Sequence, residues 1–115
     1  MKFFRNLLRR KPELCQEDLV KPFCLKAKQA ILAEDLPKAI AYLDCGIRVA
    51  PNRLNLYLQR AQIFQYGLDN YSRALEDYRY ILRELETQPD ARLEAQCRRA
   101  MRDMMNGTGT QARDL

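Results

Sequence analysis

Two stretches decide how this chain folds: residues 33–52, AEDLPKAIAYLDCGIRVAPN, and residues 61–82, AQIFQYGLDNYSRALEDYRYIL. In the first, Leu36, Ile40, Leu43 and Ile47 recur at i, i+4, i+7 and i+11, which is one face of a helix. Ala74, Tyr78, Ile81 and Leu85 repeat that spacing in the second, and Tyr57, Ala61, Phe64 and Leu68 carry it just before. No run alternates with period two for long enough to make a strand, so the chain reads as all-α. The punctuation agrees. Pro37 suits a first helical turn with Asp35 ahead as a cap, and Pro51-Asn52 ends that helix and offers Asn52 to cap the next. Gly67 with Asp69-Asn70 makes the following turn, and Pro89-Asp90 opens a last helix that Asn106-Gly107 is expected to stop. Residues 107–115, GTGTQARDL, have little to bury and are expected to be a disordered tail.

The helices also repeat. Phe23 to Tyr57, Ala27 to Ala61 and Ala30 to Phe64 are each 34 residues apart. Leu36 to Tyr71, Ala39 to Ala74, Ile40 to Leu75 and Leu43 to Tyr78 are each 35 apart, one extra residue being assigned to the GLDN turn. Pro51 to Pro89 is 38, which predicts a second closing helix longer by about a turn. Alanines at these positions let paired helices approach closely, and the large residues one turn away fill the space between pairs.

At these positions the sequence resembles the tetratricopeptide repeat (TPR) family. The resemblance rests on the Ala, aromatic and closing Pro-Asn pattern of the first unit and on Ala61, Phe64, Tyr71, Ala74 and Tyr78 of the second. It departs from the family in lacking the usual Trp, in Gly46 standing where Ala is usual, and in Lys26 replacing an apolar residue. Gly46 is expected to cost up to ~1 kcal/mol relative to Ala. The implied architecture is a single domain of antiparallel helix-turn-helix repeats, a TPR-like α-solenoid fragment. Residues 1–20 form a basic N-terminal segment and lead-in. Units follow at 21–52 and 53–89, then a capping helix over 90–106 that closes the second unit, since such repeats bury their apolar faces against neighbours.

Composition narrows the function. The 115 residues are 47% hydrophobic and 30% charged, the proportions of a soluble globular protein. Histidine is absent, which removes histidine bases, ligands and pH switches. Cys15, Cys24, Cys45 and Cys97 show no CxxC pairing, so buried free thiols in a reducing, cytoplasmic setting are expected, with no metal and no cofactor. Pairs such as Glu76-Asp77 and Glu84/Glu86 share their helix with Arg73, Arg79 and Arg83, the pattern of a solvated, ion-paired face. With no phosphate loop and no nucleophile elbow, the expectation is a protein that is not an enzyme.

The resemblance implies a concave face, lined by the first helix of each pair, that receives a peptide segment of a partner protein. Carried over position by position, that face holds Lys21, Cys24, Lys28 and Ile31 from the first unit and Asn55, Leu58, Gln62 and Gln65 from the second. Leu58 and Ile31 would supply apolar anchors, the amides backbone contacts, and Lys28 a preference for an acidic peptide. Leu58→Arg is then expected to abolish capture without changing the thermal midpoint. The implied function is a protein-protein interaction adaptor or chaperone-like module. Some family members clamp a C-terminal carboxylate, but Cys24, Lys28 and Gln59 replace most of that set here.

A second reading comes from MKFFRNLLRRK. Lys2, Arg5, Arg9, Arg10 and Lys11 put +5 on the first eleven residues; residues 12–20 carry −3 and residues 21–115 carry +3, so the net +5 belongs to this end. Phe3, Phe4, Leu7 and Leu8 fall on one helical face, with Arg5 and Arg9 largely off it. Such a helix can cap the repeats, can contact an anionic membrane surface or a partner and make the protein a peripheral tether, or can be a targeting or disordered segment. A nucleic-acid reader would spread its basic residues over the body, so no nucleic-acid partner is expected.

Overall fold

The computed structural model describes the backbone of residues 16–114 and the side chains of residues 18–107. Within that range there are five α-helices and no strand: α1 (Gln16–Leu32), α2 (Leu36–Val49), α3 (Leu54–Gln62), α4 (Tyr71–Glu84) and α5 (Ala91–Asp114). A π-helical turn, Ile63–Gly67, continues α3. The described residues fall into two compact units that meet at Arg53 and Leu54.

The first unit is the α1/α2 hairpin. Ala27, Ala30, Ala39, Leu43, Gly46 and Ala50 are buried, while Leu36, Ile40 and Ile47 of the predicted stripe are half-buried. Gly46 is buried in α2 with these alanines. Asp35 caps α2 by accepting the Lys38 N–H at 3.2 Å, with Pro37 in the first turn. α1 is helical from the first described residue, Gln16, and passes through Pro22, so helix is present five residues ahead of unit 21–52. Pro22 supplies no N–H to the ladder but is otherwise accommodated.

The second unit holds α3, the π turn, α4 and α5. Tyr57, Ala61 and Phe64 are buried, as are Ala74, Tyr78, Ile81 and Leu85; Leu93, Cys97 and Ala100 of α5 are buried too. Asn70 caps α4 by accepting the Arg73 N–H at 3.3 Å, and Asp90 caps α5 by accepting the Leu93 N–H at 3.1 Å.

The turns within the two units share their ends. Glu34 and Asp69 both take positive φ, 60° and 50°. The caps that follow have φ/ψ of −99°/78° at Asp35 and −98°/77° at Asn70. They differ by one residue in their closing bond. The Asp35 N–H reaches the carbonyl of Ala30 at 2.9 Å, whereas the Asn70 N–H reaches that of Phe64 at 2.7 Å. The extra residue expected in the GLDN turn is therefore taken up in a wide turn beginning at Ile63, where the Leu68 N–H bonds the Ile63 carbonyl at 3.0 Å. Leu68, expected on the apolar stripe, is exposed as a result, and so is Tyr71.

Three further expectations are corrected. α2 and α4 have 14 residues each, so the longer Pro51–Pro89 spacing is not a longer helix. The surplus lies in a tightened turn after Glu84, where the Glu86 and Thr87 N–H groups bond the Arg83 and Glu84 carbonyls. α5 does not stop at Asn106-Gly107 and leave a disordered tail from 107, but runs to Asp114; Leu115, the last residue of the expected tail, lies outside the described residues. A glycine stop needs the left-handed conformation, and no glycine among the described residues has positive φ. Finally, among the cysteines only Cys97 is fully buried; Cys24 and Cys45 are half-buried free thiols, and Cys15 lies outside the described residues.

Candidate partner-binding face

In the second unit, α3 is covered around most of its circumference. Leu56, Tyr57, Leu58 and Ala61 are buried, followed by Ile63, Phe64 and Gln65 of the π turn. The side chains left in solvent are Asn55, Gln59 and Gln62, joined by Tyr66 of the turn. Steps of four, three and four residues align these four along one side of the element. The face is three carboxamides and a phenol, with no charged group on the line.

The structure keeps two of the expected residues there and moves two away. Asn55 and Gln62 are on the exposed line. Leu58 is only 8% exposed and Gln65 only 4%, so neither can present itself to a peptide. Leu58 lies on the edge of a buried arc wider than the Tyr57-Ala61-Phe64 stripe. Gln65 points inward because its amide is satisfied there: Nε2 donates to the Ala100 carbonyl at 3.1 Å, and Oε1 accepts from the Tyr78 hydroxyl at 2.6 Å. The π turn thus sends Gln65 inward and Tyr66 outward.

The covered side of α3 is held by polar bonds as well as by packing. Arg60 grips Asp77 with both ends of its guanidinium, Nε to Oδ2 at 3.0 Å and Nη2 to Oδ1 at 2.7 Å. The guanidinium stands 5.5 Å over the Tyr57 ring, which lies 4.5 Å from that of Tyr80. Asp77 is therefore a buried structural partner, whereas Glu76 keeps the expected exposed pairing, 3.7 Å from Arg73. The signal was present in the spacing, because Asp77 sits on the same helical face as Ala74, Tyr78 and Ile81. No buried side-chain nitrogen or oxygen among the described residues lacks a partner.

Burial also sets the alkaline behaviour of this unit. It pushes the Tyr57 hydroxyl up to about 12, aided by its hydrogen bond with Tyr80, and the Cys97 thiol up to about 11. The unfolded chain ionises these groups near 10 and 9 and so loses protons first as pH rises. Their contribution is full below pH 9 and is lost through pH 11 for Cys97 and through pH 12 for Tyr57. Urea titrations at stepped pH should therefore show unfolding free energy falling over this window, and the Tyr57→Phe slope above pH 10 should be shallower than wild type.

In the first unit, Lys21, Lys28 and Ile31 are all exposed on α1, with Cys24 half-buried beside them. Phe3, Phe4, Arg5, Leu7, Leu8 and Arg9 lie outside the described residues. Along α5 an open depression of about 690 Å³ is lined by Ala91, Ala95, Arg98, Arg102 and Met105 among others. The described residues hold no group of three His, Cys, Asp or Glu side chains able to bind a metal, and no described helix is long and apolar enough to cross a membrane. Compared with known proteins, the chain matches no family model, no curated protein and no solved structure.

Proposed function

We propose that this protein is a non-catalytic interaction adaptor of tetratricopeptide-like build, in which α3 receives an extended segment of a partner protein. The observation that carries the reading is the exposed line Asn55-Gln59-Gln62-Tyr66 on an otherwise covered helix. Each carboxamide both donates and accepts, so a row of them can pair with peptide N–H and C=O groups whatever the side chains are. Tyr66 adds a flat apolar surface with a polar tip, a residue type enriched in interfaces. The line is also rigid, since Arg60-Asp77 and Gln65-Tyr78 fix the covered side, and a rigid receptor loses little entropy on binding. The matching caps at Asp35 and Asn70, and the buried alanines 27, 39, 61 and 74, support the family-like build. Free thiols at Cys24, Cys45 and Cys97 suit a reducing, cytoplasmic setting.

A photo-crosslinking residue placed at Gln62 tests this in the full chain, with Arg79, exposed on α4, as the control site. The reading expects a discrete adduct from position 62 and none from position 79. Adducts from both sites alike, or from position 79 alone, would contradict it.

A further inference from the structure

α1 turns a line of exposed side chains away from its own hairpin. Val20, Ala27 and Ala30 are buried, with Phe23 half-buried beside them. On the opposite side Asp18, Leu25 and Leu32 follow at seven-residue steps, all exposed, Leu25 at 58% and Leu32 at 77%. Exposed Pro22 stands beside Leu25, one turn before it, and exposed Lys21 and Gln29 flank the line. With an acid at its start and a base at its edge, the line does not select an occupant by charge. Length and attachment select one. Fifteen residues precede α1 and join it at Gln16, the end where Pro22 and Leu25 are uncovered. Among them Phe3, Phe4, Leu7 and Leu8 share one helical face over residues 2–11, and Pro12 disfavours helix at the residue before it.

We propose that residues 2–11 fold back as a helix antiparallel to α1 and cover Pro22 and Leu25, capping the outer side of the first hairpin. Ten helical residues span about 15 Å, which reaches Leu25, about 14 Å along α1 from Gln16, but not Leu32, at about 24 Å. Residues 12–15 then make the turn, as residues 33–35 do between α1 and α2. In that register Arg9 comes level with Asp18, Asn6 with Lys21 and Phe3 with Leu25, each to within a residue. Acid thus meets base, Lys21 meets an uncharged residue, and an aromatic ring lies on the exposed leucine. The direct covalent link holds the segment at an effective concentration in the millimolar range, so a modest apolar contact suffices to populate the docked form. Stacked helical hairpins also need a terminal cover for the apolar surface that no neighbour buries. An anionic bilayer on this line would meet the Asp18 carboxylate instead of a base. The inference is independent of the α3 line, which lies in the other unit.

Limited trypsin digestion of the full chain, followed by mass spectrometry as cleavage after Arg5 and Arg9, tests the proposal. Each rate is read relative to the same bond in an isolated peptide of residues 1–15 carrying the same changes. Wild type should be cut at least about tenfold more slowly than a variant combining Phe3→Ser, Phe4→Ser, Leu7→Ser and Leu8→Ser, because docking covers one leucine or more. Leu25→Gln should speed the cleavage by about tenfold, and Leu25→Ala should act in the same direction. Adding Leu25→Gln to the serine changes should speed it no further, since both remove one contact. Leu32→Gln, beyond the reach of the segment, should leave the rate as in wild type. Circular dichroism should show wild-type helix content for each α1 variant, whose altered side chain is exposed. A wild-type segment cut as fast as the serine variant would overturn the proposal. So would unaltered cleavage in both Leu25 variants, equal effects of Leu25→Gln and Leu32→Gln, or protection that arises only when phosphatidylserine vesicles are added.

Discussion

Asp77→Ala lowers the stability of the protein by about 3 kcal/mol, because it leaves the Arg60 guanidinium partly buried without its bidentate acceptor. The side chain of Asp77 keeps 7% of its exposure and that of Arg60 18%, so water replaces the lost carboxylate only poorly. That residual exposure puts the expected loss at the low end for a broken buried pair. Urea unfolding should show the drop as a lower midpoint at unchanged slope. Replacing both partners, Arg60→Met with Asp77→Leu, should recover most of the loss, since no unpaired charge remains. A single-variant loss under about 1 kcal/mol would show that the pair behaves as an ordinary surface bridge.

Leu58→Arg should unfold the protein more severely still. The side chain it replaces is 8% exposed, between Tyr57 and Ala61 on one side and the exposed amides on the other. A guanidinium there must either be buried without a partner or push α3 away from its packing, and the cost is several kcal/mol. The thermal midpoint should fall by more than about 10 °C, and any loss of partner capture would follow from unfolding. Leu58→Ala, which only leaves a cavity, should cost about 2–4 kcal/mol. A wild-type midpoint for Leu58→Arg would return Leu58 to the surface and restore the sequence-based expectation of an apolar anchor.

What was legible in the sequence was local. Asp35 and Asp90 cap helices because the acceptor lies three residues from the N–H it binds, a relation the sequence displays directly. The alanines at 27, 39, 61 and 74 are fully buried at their predicted close approaches, because helical period alone places them on the inner faces. Asn55 and Gln62 could be placed in solvent by the same reasoning. Gln65 could not. An amide is usually exposed, and what buries this one is a hydroxyl 13 residues away and a carbonyl 35 residues away. The wide turn at Ile63 was hidden for a related reason. The one-residue surplus was visible in the 34-to-35 step, but its location depends on which carbonyl the Asn70 N–H reaches. Asp77 was misplaced by residue type, although its position on the apolar face argued for burial.

The adaptor reading stands or falls on the amide line of α3. Capture from host lysate should compare wild type with Asn55→Ala, Gln59→Ala and Gln62→Ala combined, three exposed positions whose truncation leaves the buried network intact. The account predicts that a partner retained by wild type is lost by the triple variant at an unchanged thermal midpoint. The same partners retained in the same amounts by both proteins would contradict it.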